Sequence, residues 1–195
     1  LKKKVGLYFG TFNPIHIGHL VIANHMAEFT ALDEVWLVVT PHNPFKKKSS
    51  LLEDYHRYEL VYRATESFDH IKPSNIEFKL PQPNYTVNTL VHLEEKYPEL
   101  DFALIMGEDN LNTLHKWKNN EVILDRHEIF VYPRITKSKK ESPLRNHEKV
   151  HLIDAPVMEI SSTFIRKAIK NGKDIRPLLP TKAWEYIDEM NFYRS

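Results

Sequence analysis

Short apolar runs alternate with amphipathic stretches along most of the chain. Residues 5–9 (Val-Gly-Leu-Tyr-Phe), 34–40 (Glu-Val-Trp-Leu-Val-Val-Thr) and 102–106 (Phe-Ala-Leu-Ile-Met) are nearly unbroken apolar segments of strand length. With 128–132 and 150–153, each predicts a buried strand. Residues 76–80 alternate instead, Ile76, Phe78 and Leu80 against Glu77 and Lys79, and predict a third strand closed by Pro81-Gln82-Pro83. Helical spacing fills the gaps. It predicts helices over 20–28, over 54–68 with Tyr58, Val61, Tyr62 and Thr65 on one side, and over 86–97 with Val87, Leu90, Val91 and Leu93 inward. A short helix follows Gly107 and reaches Trp117. Residues 162–170, stopped by Asn171-Gly172, and 181–190 complete the set.

Strands alternating with helices at this spacing imply right-handed crossovers and an α/β fold, a doubly wound, mostly parallel sheet. The expected organisation is one domain over 1–195, with 160–195 as its helical C-terminal part. In such sheets ligands sit beyond the carboxyl ends of the strands, near the switch in strand order. The turns at Gly10, Pro41 and Gly107 all fall at such ends, so they can share one cleft.

Composition narrows the classes of function. The 27 Lys and Arg against 26 Asp and Glu leave a formal charge of +1, which argues against a dedicated nucleic-acid or membrane-surface binder. The absence of cysteine excludes disulfides, thiolate catalysis and cysteine-based zinc sites. Leu1-Lys2-Lys3-Lys4 is basic like a signal peptide, but the apolar run behind it is shorter than the roughly 7 residues of an h-region. No stretch approaches the roughly 18 apolar residues of a membrane span. A cytoplasmic protein is expected, and a homo-oligomer stays open.

The candidate chemistry centres on Gly10-Thr11-Phe12-Asn13-Pro14-Ile15-His16-Ile17-Gly18-His19, a strand-to-helix junction. Gly10-Thr11 and Asn13-Pro14 let the backbone approach a ligand, and the free amides at a helix start favour phosphate. His16 and His19, three residues apart, should lie on one face and point at the same anion. A zinc reading is weaker, because the HExxH pattern is missing. Ile160-Ser161-Ser162-Thr163-Phe164-Ile165-Arg166 supplies a hydroxyl helix cap and a second anion cradle, with a guanidinium one turn inside.

These two stretches resemble the signature motifs of the nucleotidyltransferase superfamily, which shares its HxGH element with class I aminoacyl-tRNA synthetases and closes its ATP site with ISSTxIR. Residues 83–90 (Pro-Asn-Tyr-Thr-Val-Asn-Thr-Leu) are similar to PSYTxDTL, Gly107-Glu108-Asp109-Asn110-Leu111 with Trp117 to GxDxLxxLxxW, and 175–186 to R-x-L-V-P-x-x-V-x-x-Y-I. Together they resemble the bacterial nicotinate-nucleotide adenylyltransferases over essentially the whole chain. The chain departs from the family pattern at Phe9, Asn13, Phe45, Asn88 and the order Pro133-Arg134.

The resemblance implies a Rossmann-like nucleotidyltransferase fold and transfer of AMP from ATP to nicotinate mononucleotide, with His16, His19 and Arg166 neutralising the departing pyrophosphate. It implies ATP contacts from Gly10, Thr11, Phe12, Asn13, Gly18, Lys46 (Lys47 in reserve), Gly107, Asp109, Arg134, Ile160, Ser161, Ser162 and Thr163. Thr86, Asp109, Trp117 and Lys118 would receive the mononucleotide, the indole stacking on the pyridine ring. Arg57 is a further phosphate candidate, or else a surface ion pair. Mg2+ would arrive with ATP, with no metal ligand in the chain. The alternatives are an adenylyltransferase for nicotinamide mononucleotide or phosphopantetheine, and a non-catalytic nucleotide-binding module.

Overall fold

The computed structural model describes residues 2–41, 51–135 and 142–194. Lys46 and its reserve Lys47 lie outside the described residues.

The elements run in the order β1 (Lys3–Gly10), α1 (Ile17–Phe29), β2 (Glu34–Val39), α2 (Asp54–Thr65), β3 (Ile71–Ser74), α3 (Thr86–Lys96), β4 (Leu100–Gly107), α4 (Glu108–Leu111), α5 (Asn120–Arg126), β5 (Ile129–Tyr132), β6 (Val150–Leu152), α6 (Ser162–Lys170) and α7 (Thr181–Glu189). Among the described residues every strand pairing is parallel, in the order β3-β2-β1-β4-β5-β6. The order reverses at β1, which pairs with β2 on one side and β4 on the other, so the switch point lies beside the carboxyl end of β1. The Gly10–His19 junction leaves the sheet there.

The apolar runs are continuous because both faces are covered. Val35, Leu37 and Val39, Ala103 and Ile105, and Phe130 and Tyr132 face a core shared with α1, α2, α6 and α7. The intervening Val38, Phe102, Leu104, Met106, Ile129 and Val131 face a second core with α3 and α5.

Three expectations need correction. The third strand is Ile71–Ser74, on β2, while Ile76–Lys79 forms a 3-10 turn. In that turn the supposedly outward Glu77 is buried and accepts from Thr89 Oγ1 at 2.8 Å, so the alternation does not mark a solvent face. Pro73 sits in β3 because an edge strand needs only one side of its backbone paired. The inner face of α2 is Arg57, Leu60, Val61, Ala64 and Thr65, and Tyr62 points outward. The helix after Gly107 is only α4, followed by a 3-10 turn over Leu114–Lys116, with Trp117 closing that turn and α5 beyond it.

Candidate active site

The junction after β1 is held in shape by its own side chains. Phe12 takes a left-handed φ of 44° yet is almost fully buried, its ring edge-on to Tyr8 at 6.0 Å and to His19 at 5.0 Å. Packing of that kind is what lets a strained, non-glycine turn persist. His16 caps α1, and its ring stacks on that of His19 with centroids 3.7 Å apart and planes 26° from parallel. Gly18 makes room for the stack: a Cβ there would meet His16 Nδ1 at 3.1 Å.

The main-chain N–H of His16 donates to His19 Nδ1 at 3.2 Å. An imidazole nitrogen that accepts carries no proton, so in the neutral ring the proton sits on Nε2, leaving that edge as a donor. Burial, reinforced by the Arg134 guanidinium, pushes the His16 imidazole down to about 4. Burial, then His16 and Arg134, holds His19 well below its ordinary value. Both rings are therefore neutral at physiological pH in the free protein, and a neutral imidazole can offer an anion N–H donation.

The 160–166 segment closes onto this turn. Ser161 Oγ caps α6 by accepting from Phe164 N at 3.2 Å. Ser162 Oγ donates to the Pro14 carbonyl at 2.9 Å, and Arg166 Nη1 donates to the Asn13 carbonyl at 2.8 Å. Thr163 is exposed beside Arg166. At the end of β4, Gly107 allows the approach of Arg134 and Asp109: a Cβ would meet Asp109 Oδ1 at 2.5 Å and Arg134 Cδ at 2.6 Å. Arg134 Nη1 donates to Asp109 Oδ2 at 3.4 Å.

A cleft of about 510 Å³ results. Its lining includes Gly10, Thr11, Phe12, His16, Gly18 and His19, Arg134 from the turn after β5, and Ile160, Ser161 and Ser162. Asn13, Thr163 and Arg166 adjoin it through the bonds just described, as Gly107 and Asp109 do through Arg134. Thr86, Trp117 and Lys118 are not part of that lining. Lys118 Nζ lies 4.4 Å from the ring centre of Tyr85, the residue that precedes Thr86, while Trp117 is half-buried against the second core. A separate hollow of about 580 Å³ near Gly172 and Trp184 contains none of the sequence-predicted residues, and the Asp174 and Arg176 in its wall pair with each other.

Arg57 is neither a surface ion pair nor a phosphate ligand in waiting. It is fully buried and spends its guanidinium on the Thr11 carbonyl at 2.7 Å, the Thr40 carbonyl at 2.8 Å, the Leu52 carbonyl at 3.0 Å and the Asp54 carboxylate. It thereby ties the turns after β1 and β2 together. Sequence reasoning also passed over Tyr8 and Tyr132, whose hydroxyls meet at 3.2 Å in the cleft. A polar tip at a buried strand position was the available signal for each. Met158 and Ile135 line the cleft from loops that carried no signal.

A parallel sheet with such a turn at its switch point, closed by a distant hydroxyl and arginine segment, has the architecture of a nucleotidyltransferase fold. Residues 7–168 match the cytidylyltransferase-like family. The chain is 67% identical over 192 residues to a protein of Flavobacterium johnsoniae named "Probable nicotinate-nucleotide adenylyltransferase", covering 98% of this chain and all of the relative. It is 47% identical to a protein of Bacteroides fragilis with the same name, over 95% of this chain and 92% of that one. The nicotinic acid mononucleotide adenylyltransferase of Plasmodium falciparum, solved in complex with APC, superposes with a TM-score of 0.78 at 22% identity, over 98% of this chain and 97% of that one, a likeness of fold. The chain belongs to the nicotinate-nucleotide adenylyltransferases within the cytidylyltransferase-like family.

Proposed function

We infer that the chain transfers the adenylyl group of ATP to nicotinate mononucleotide, giving nicotinate adenine dinucleotide and pyrophosphate in NAD biosynthesis. Family membership supports the reaction, and one observation supports its location. Two segments 148 and 153 residues apart, Ser162 on Pro14 and Arg166 on Asn13, close a single cleft over the stacked histidines.

In this reading a phosphate oxygen of the mononucleotide attacks the α-phosphorus in line. A new P–O bond forms there, the bond to the β-phosphate oxygen breaks, and its electron pair leaves with pyrophosphate. The attacking phosphate is already anionic, so no protein nucleophile is needed. His16 and His19 donate N–H groups to the triphosphate, and its charge would draw protons onto these otherwise neutral rings as negative charge builds on the leaving group. Arg166, oriented by the Asn13 carbonyl, and Arg134, oriented by Asp109, supply permanent positive charge. The Ser161–Thr163 turn, with the start of α6, receives the outer phosphates.

Magnesium belongs to the substrate in this account, carried on the triphosphate oxygens. Mg2+ dehydrates reluctantly and commonly keeps phosphate and water ligands. Thr86, Trp117 and Lys118 receive the mononucleotide, with Asp109 between the two halves. No helix among the described residues is long and apolar enough to cross a membrane, and a cytoplasmic setting fits two highly charged soluble substrates. The bonds that join 160–166 to the opening turn support one nucleotidyltransferase domain over 1–195.

The test is incubation with MgATP and, separately, nicotinate mononucleotide, nicotinamide mononucleotide and phosphopantetheine, following pyrophosphate. Release fastest with the nicotinate compound is expected. Preference for either other acceptor would reassign the substrate, and no release with any would leave a binding module.

A further inference from the structure

The side chain of Asn13 is engaged by two segments that the adenylyl-transfer reading does not use. Its Oδ1 accepts from the Leu52 N–H at 3.2 Å and from the Tyr193 hydroxyl at 2.8 Å. Tyr193 arrives there by a defined turn. After α7 the chain takes a left-handed φ of 55° at Asn191, whose N–H returns to the Asp188 carbonyl at 3.2 Å, while the Phe192 N–H returns to the Ile187 carbonyl at 3.0 Å. That pair of bonds is the Schellman ending of a helix, and it reverses the chain. Phe192 then packs on Tyr186 and His56, at 5.6 and 5.0 Å between ring centres, and Tyr193 takes a second left-handed φ of 65°. Two non-glycine residues in that region within three positions are costly unless surrounding contacts hold them.

The other face of the same dipeptide carries the cradle. The Asn13 carbonyl takes Arg166 Nη1, and the Pro14 carbonyl takes Ser162 Oγ. Whatever fixes the Asn13 side chain therefore fixes the two carbonyls that aim Arg166 and Ser162.

We propose that Tyr193 is a positioning residue for ATP: its hydroxyl clamps Asn13, and through the Asn13 carbonyl it holds the Arg166 guanidinium at the phosphate cradle. An amide suffices at Asn13, since an acceptor oxygen is what the Leu52 N–H and the Tyr193 hydroxyl require. Burial raises the Tyr193 phenol well above its ordinary value, so the hydroxyl keeps its proton and stays a donor throughout the working pH range. The proposal rests on reading the cleft as the ATP site.

Tyr193→Phe removes one oxygen and keeps the ring. Losing a single net hydrogen bond of the usual strength corresponds to about a three- to tenfold effect on binding. The KM for ATP should rise by that factor, with the KM for nicotinate mononucleotide unchanged and the melting temperature near that of the wild type. In an Arg166→Ala background the same change should add nothing further to the KM for ATP. Amide hydrogen exchange of the free protein should quicken over residues 12–16 and 162–166. Asn13→Ala, which cuts this bond from its other end together with the one from Leu52, should show an ATP-selective rise at least as large and serves if Tyr193→Phe does not fold. Equal rises in both KM values, additivity with Arg166→Ala, or faster exchange confined to the end of α7 would overturn the proposal. A wild-type protein without pyrophosphate release would defeat the adenylyl-transfer reading instead, and the exchange comparison would still judge the clamp.

Discussion

The His16 main-chain N–H donates to His19 Nδ1 at 3.2 Å while the two rings stack at 3.7 Å, so the position of one histidine fixes the tautomer of the other. Nδ1 is occupied as an acceptor, so in the neutral ring of His19 the proton sits on Nε2.

From this follows a strong and selective effect of His19. His19→Ala removes a preorganised donor and also frees the His16 N–H, and kcat should fall on the order of 10²-fold. His19→Asn, whose amide can donate from a similar place, should recover part of the loss. Steady-state kinetics check both; turnover like the wild type in His19→Ala would remove the histidine from the reaction.

The depressed histidines also tie stability to pH. The His16 imidazole sits at about 4 in the folded protein and near 6.5 when unfolded, so below 6.5 the unfolded chain binds more protons. The stability it contributes is complete above pH 6.5 and is lost as pH falls through about 4. Its share of the loss is about 3 kcal/mol over that window. Urea unfolding at pH 7 and pH 4.5 should show a smaller drop in His16→Gln than in the wild type; parallel drops would mean that His16 protonates freely in the fold.

Arg57 binds the scaffold beneath the site. Replacing it with Leu would leave the Thr11, Thr40 and Leu52 carbonyls without their donor in a fully buried place. A loss of about 3 kcal/mol or more is expected. Denaturant titration measures it, and a loss below about 1 kcal/mol would show that the three turns hold without the guanidinium.

In the proposed reading Trp117 serves the mononucleotide and not ATP. Its indole is half-buried, outside the lining of the phosphate cleft. Trp117→Ala should raise the KM for the mononucleotide at least about tenfold, the loss of one aromatic stack and its buried area, with little change for ATP. Equal effects on both substrates would make the residue structural.

Much of this was legible in the sequence because it depends on local order. The apolar runs mark strands covered on both faces, and the His16 to His19 spacing survives as a stacked pair at the start of α1. The 76–80 alternation misled because Glu77 turns inward to Thr89, a partner from another element. The same holds for Arg57 and Tyr193: their roles consist of bonds to carbonyls and a side chain many residues away, and no local pattern records such bonds. The neutrality of the histidines was likewise hidden, since it comes from burial and from Arg134, more than a hundred positions along the chain.

The most direct measurement follows the α-phosphorus itself. With ATP labelled at that atom and nicotinate mononucleotide as acceptor, all transferred label should appear in nicotinate adenine dinucleotide, with pyrophosphate released in equal amount and none bound covalently to the protein. Label recovered only as AMP, or retained on the protein, would contradict direct transfer in the His16–His19 cleft.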